Sequence, residues 1–305
     1  MKTKILLFIS IALSVNVWAQ RDTTVNDKVV LDGAFPREND VLRKEVPYQL
    51  IREADAMYSK KVLRYIDLNE KRNHPLYFPT ETIEYLAAEG LQPDRSRRSL
   101  YSVILDVGIK QKEYPCYDYR KQSIDMTNWY VSRKDTAGIE RIGTYTKIET
   151  RYEPDEYGDL QPVEFELNIP IGSNEIKAFF MWEEWVFDKQ RSVMDVRIIA
   201  LAPLAITENI NNGYPTGLFW IHYPHFRKIF VTHEVFNSSG NKNDAERLCF
   251  DDIFFKRLFS SFIYAETNVY DNRFIDQYLM GIEAIREGER IQDMLFVYEH
   301  DQWEY

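Results

Sequence analysis

The sequence predicts an α+β fold: a single compact domain with N-terminal helices, a central antiparallel sheet containing a long hairpin, and C-terminal helices. Three observations carry this. Apolar residues recur at three- and four-residue steps early and late in the chain. The middle is built of β-branched and alternating stretches punctuated by Gly and Pro. Of the 305 residues 45% are hydrophobic, so a sizeable core can form and wholesale disorder is excluded.

Residues 1–19 have the form of a secretory signal peptide. Lys2 and Lys4 precede the apolar run Ile5–Val15, and Val17-Trp18-Ala19 sets small residues at −3 and −1. Cleavage is expected between Ala19 and Gln20, and loss of the two lysines moves the net charge from −10 to −12. No Cys near the cut suggests a lipid anchor, and no later stretch reaches the ~18 apolar residues of a membrane span. Residues 20–45, polar and weakly patterned, read as an extended arm, and residues 46–305 as the α+β domain.

Within the domain, Leu50, Ala54, Met57, Tyr58, Val62 and Ile66 recur at helical steps, so residues 48–70 read as a helix that Asn73-His74-Pro75 stops. Thr80 can cap a short helix ending at Gly90, and a further helix covers Ser99–Val107 before Gly108. Tyr145–Tyr152 and Val163–Ile169 are strand candidates. Ile176–Phe187 is ambiguous by period alone, but Val193–Leu201 is β-branched, and the polar connector Asp188–Ser192 joins the two as a hairpin. Leu218–Tyr223 is a strand ended by Pro224. Asp251–Glu266 reads as a helix with Ile253, Phe254, Leu258, Phe262 and Ile263 on one stripe, and Asp251 and Asp252 suit its positive end. Phe274–Met280 and Ile282–Phe296 supply more helix.

The acidic charge argues against a nucleic-acid binder, which needs a dense cationic surface. His222, His225 and His233 are candidate metal ligands, with a rim of surface or half-buried histidines as the alternative; no Glu follows in zinc-protease spacing. The carboxylate pairs Asp251/Asp252, Glu183/Glu184 and Glu287/Glu289 could serve acid–base chemistry only if they faced across a cleft. Asp251/Asp252 is better explained as helix-start charge, and Glu183/Glu184 as an exposed strand edge. There is no nucleophile elbow and no phosphate-binding glycine loop, so no cofactor is expected and nothing makes a positive case for an enzyme. In an oxidising compartment Cys116 and Cys249 either pair, constraining the unfolded chain by about 5 kcal/mol, or stay separate buried thiols. Asp22-Thr23-Thr24 and Asp135-Thr136-Ala137 match a short O-glycosylation pattern.

Several whole segments together resemble one family. They are Glu53-Ala54-Asp55-Ala56-Met57-Tyr58-Ser59-Lys60-Lys61, Asn69-Glu70-Lys71-Arg72-Asn73-His74-Pro75-Leu76-Tyr77, and the run Phe187–Ile199. With them go Leu218-Phe219-Trp220-Ile221, Phe250-Asp251-Asp252-Ile253-Phe254-Phe255-Lys256-Arg257, and the closing Glu299-His300-Asp301-Gln302-Trp303-Glu304. From about Val46 onward the chain is similar to the GldN/PorN proteins of gliding motility and type IX secretion. The resemblance implies a periplasmic structural subunit. It would assemble with copies of itself and a GldK/PorK-like outer-membrane lipoprotein into a ring, and contact a GldM/PorM-like inner-membrane motor. Membrane association would be indirect, through the lipoprotein. No catalytic residues or cofactors come with it. Ring closure needs two different surface patches per subunit, for which Trp182, Trp185 and Trp303 are candidate anchors. Trp220, on an apolar strand, reads as core. The rival roles are a periplasmic hydrolase of envelope polymers and a monomeric client-binding adaptor.

Overall fold

The computed structural model describes residues 29–30, 42–80, 92–93, 97–112, 114–119, 143–154, 160–206, 214–235, 247–269 and 272–302. In chain order these form β1 (Val29–Val30), β2 (Ala56–Asp67), α1 (His74–Tyr77), β3 (Gln92–Pro93), and α2, wound as α over Leu100–Ser102 and as π over Val103–Gln111. Then come β4 (Cys116–Asp118), β5 (Thr144–Pro154), β6 (Leu160–Pro170), β7 (Ile176–Asp188), β8 (Val193–Ala205), β9 (Thr216–Gly217) and β10 (Phe219–His222). The last third holds α3 (Tyr223–Phe230), α4 (Phe250–Phe255), β11 (Phe262–Glu266) and α5 (Ile282–Asp301). One compact unit comprises Met1–Pro36 and Ile83–Asp94, in which β1 and β3 pair in parallel. The other comprises Arg37–Thr82 and Arg95–Tyr305 and carries the seven-stranded sheet.

That larger unit is α+β. Its centre is a seven-stranded sheet in the order β11-β2-β7-β8-β10-β4, with β9 against β8, and every pairing is antiparallel. β7 and β8, 13 residues each, are the long hairpin read from the sequence. Its turn is fixed chemically. Asp188 accepts from the Gln190 N–H at 2.9 Å and from Arg191 Nε at 2.6 Å, and this guanidinium holds its carboxyl below the usual carboxylate range. Ser192 takes the left-handed conformation that closes the turn.

Four elements differ from the sequence reading. α2 does not stop before Gly108 but runs through it to Gln111, wound as π-helix. Residues 56–67 are not an N-terminal helix but β2, the strand between β11 and β7. It is buried on both faces where Val62, Leu63 and Arg64 follow one another, so the two-residue alternation is lost and Val62 and Ile66 coincide with a helical step. The stretch Asp251–Glu266 is two elements: α4 stops at Phe255, Arg257 adopts a positive φ, and β11 resumes with period two. Phe274–Met280 holds only a single 3-10 turn, Ile275–Gln277. Pro224, read as a strand stop, is also the first turn of α3, where its missing N–H costs nothing. The expected helix after Thr80 and the arm residues before 42, except β1, lie outside the described residues.

The sheet's two faces bury different chemistry. Ile66, Phe179, Met181 and Ile198 face α2, α3 and α4 in the main core, with Phe226, Phe230, Phe250 and Phe254. The opposite face is Ala178, Ala200 and Ala202 around Trp182 and Trp220, whose rings stack 6.5 Å apart. α5 packs Ile291 and Leu295 on Val62 and Ile263. Gly108 lets α2 approach α3, since a Cβ there would overlap the buried Phe226 ring. Gly108→Ala is therefore expected to destabilise by about 1–3 kcal/mol despite alanine's helix preference, checked by urea denaturation.

Candidate interaction surface

Four carboxylates are buried among the described residues, Glu183, Asp188, Glu234 and Asp251, and each meets an arginine. Asp251, at the start of α4, takes Arg227 Nε and Nη2 at 2.8 Å each and the Tyr223 hydroxyl at 3.0 Å. Arg227 also donates to the Val46 carbonyl at 2.8 Å. Tyr48 lies between the Arg227 and Arg197 guanidinium groups, each 4.2 Å from its ring, and burial pushes its hydroxyl pKa up. Arg43 reaches Asp252 at 2.6 Å. Residues 43–49, part arm and part domain in the sequence reading, thus form a strap tied to α4, α3 and β8.

Glu183, on β7, is 0% exposed rather than at an exposed strand edge. Arg64 Nε stands 2.8 Å from one oxygen and Arg257 Nη1 2.7 Å from the other, and the Trp185 indole donates at 3.2 Å. Glu184 accepts from Ser59 Oγ at 2.7 Å, and Glu287 is forked by Arg290. These carboxylates are spent on structural partners and do not face one another across a cleft.

The histidines do not converge. His222 and His225 meet edge to face at 4.3 Å, and His233 instead contacts the Ile229 carbonyl at 2.9 Å. Burial lowers the pKa of His222 and of His233. Among the described residues no group of three His, Cys, Asp or Glu could hold a metal. Cys116 on β4 and Cys249 before α4 are buried thiols rather than a disulfide. Cys249 caps α4 through Asp252, and burial pushes its pKa up to about 12.

Of the tryptophans expected at an interface, Trp182 is 2% exposed in the alanine-lined core and offers no surface to a partner. Its place opposite Leu63 on one strand and Ala200 on the other makes it a packing residue. Trp185 is half-buried, packed in the α5 cluster between Arg64 and Arg257. Trp220 is core. Trp303, the Ala19–Gln20 cleavage site and both glycosylation patterns lie outside the described residues.

The exposed apolar surface is on α5 instead. With Ile291 and Leu295 turned inward, Ile282 (64% exposed), Ile285, Phe296 (67%) and Val297 fall on the opposite side of the helix. Met280 extends the patch before the helix start, where Gly281 takes a positive φ. The helix is held close to the sheet because Gly288 has no side chain: a Cβ would stand 2.9 Å from the Ile263 carbonyl oxygen. The sequence carries a signal for this, since Ile282–Phe296 has apolar residues on more sides than one core needs. No helix in the described residues is long and apolar enough to cross a membrane.

A protein-family model described as "Gliding motility associated protein GldN" matches residues 51–304. No curated protein matches the chain.

Proposed function

We propose, from the premise that this chain belongs to the GldN family of gliding motility associated proteins, that it is a non-enzymatic structural subunit of the type IX secretion system. In this reading it is exported to the periplasm and joins an outer-membrane lipoprotein of the GldK/PorK kind in a ring beneath the outer membrane. There it meets the periplasmic part of a GldM/PorM-like motor, supporting protein export and, in some members, gliding. The observation that carries the reading is the outward side of α5, a braced helix that leaves Ile282 and Ile285 exposed at its start and Phe296 and Val297 exposed near its end, with no covering element among the described residues. Two exposed apolar clusters on one braced helix, parted by Arg286, Glu289 and Asp293, offer a contact surface with apolar anchors and a polar middle. The engagement of Glu183 and Asp251 by arginines supports a structural rather than a hydrolytic role.

The experiment is co-purification of a tagged Ile285→Glu/Phe296→Glu variant from solubilised envelopes. Both side chains are exposed, so stability is expected to stay within about 0.5 kcal/mol of the parent. Recovery of the lipoprotein is expected to fall at least about 30-fold, the loss of one buried apolar anchor. Undiminished recovery would move the contact elsewhere on the subunit.

A further inference from the structure

β5 and β6 pair with each other and stand outside the seven-stranded sheet; among the described residues β5 has no other strand neighbour. A lone two-stranded ribbon is marginal in water and gains from a third strand. The two outer edges are not equivalent. That of β6 is guarded: Glu164 and Glu166 are exposed on it, and Pro162 and Pro170 carry no N–H. That of β5 is not. It reads Thr146-Lys147-Ile148-Glu149-Thr150, and Ile148 at its centre is 60% exposed.

This run is complementary to itself when turned antiparallel about Ile148. Lys147 then opposes Glu149, Thr146 opposes Thr150, and Ile148 opposes its own equivalent. Opposite charges and Thr–Thr pairs directly across a ladder are the favourable cross-strand combinations. Centring the pairing on Lys147 or Glu149 instead sets like charges against each other; centring it on Thr150 opposes Glu149 to Arg151 and Lys147 to Glu153, and cysteines at 148 and 150 tell that register from this one. The axis passes through the sheet, which leaves the row Phe165, Leu167 and Ile169, aligned across from Glu149, Lys147 and Tyr145, on one common face of both ribbons.

We propose that the outer edge of β5 pairs with β5 of a second copy of this chain, two-fold about Ile148, making a four-stranded sheet β6-β5-β5-β6 across the dimer. Such a contact is isologous and closes on itself, so a head-to-tail ring contact would use other surfaces. The inference goes beyond the proposed role and stands or falls without it.

The test uses the purified chain with no partner present. Sedimentation equilibrium is expected to give twice the chain mass. Lys147→Glu sets like charges together twice and is expected to raise the dimer Kd at least about tenfold, while Lys147→Glu/Glu149→Lys recovers it. Ile148→Cys is expected to cross-link two chains on mild oxidation, because opposed Cα atoms in an antiparallel pair lie about 4.5–5.5 Å apart, within disulfide reach. Thr150→Cys, roughly 13 Å from its equivalent at ~3.3 Å per residue, is not. The seven-stranded sheet is untouched by all four variants, so their thermal transitions are expected to match the parent's. A monomer at every concentration, or a dimer that neither the charge pair nor the Ile148→Cys cross-link distinguishes, overturns the proposal.

Discussion

Glu183→Ala is expected to cost about 3–5 kcal/mol of unfolding free energy, a large share of what a domain of this size has. The cost comes less from the lost pair than from what remains. Arg64 is nearly as buried as the carboxylate it serves, and Ser261 Oγ at 3.3 Å is a weak substitute for its ion pair. Arg257 is half-buried and can turn outward, so it adds little to the loss. Glu184→Ala, one residue along, removes only the hydrogen bond from Ser59 and is expected to cost no more than about 1 kcal/mol. Glu183→Met/Arg64→Met is expected to be less damaging than Glu183→Ala alone, because an apolar pair leaves no buried charge. Urea denaturation of the four proteins decides this. Retention of full stability in Glu183→Ala with loss of a hydrolytic activity would instead support an enzyme.

Trp182→Ala is the second large effect, expected at about 3–5 kcal/mol from lost burial and the cavity left behind. Trp182 fills the space that Ala178, Ala200 and Ala202 leave on the sheet, and its ring stacks on Trp220. The alanines are what make room for two indoles, so neighbouring side chains cannot close over the gap. The alternative, that Trp182 anchors a partner, makes the opposite forecast: an unchanged thermal transition and lost co-purification. Thermal unfolding and envelope pull-down on the same variant separate the two.

The hairpin of β7 and β8 was legible in the sequence because a β-branched strand, a polar turn and a length match all agreed there. β2 was not, because it is buried on both faces and its neighbours supply its hydrogen bonds from distant parts of the chain. The α4–β11 boundary was hidden for a related reason. Phe254, Phe259 and Ile263 are all core, so hydrophobicity alone does not mark where the period changes, and the break sits at Arg257, a residue type that seldom signals a turn. Glu183 next to Glu184 looked like a solvated pair, although its partners Arg64 and Arg257 are 119 and 74 positions away. The α5 helix itself is legible in its period, but which of its sides faces outward depends on Val62 and Ile263, which the local pattern does not contain.

The proposed function has this chain work by assembling rather than by catalysing. It is tested most directly by affinity purification of the tagged protein from gently solubilised envelopes, with native mass and partners read by mass spectrometry. The expected result is a very large species holding an outer-membrane lipoprotein and the inner-membrane motor subunit, lost in Ile285→Glu/Phe296→Glu. A species of one or two chains with no partner, surviving both mild extraction and cross-linking, would contradict it.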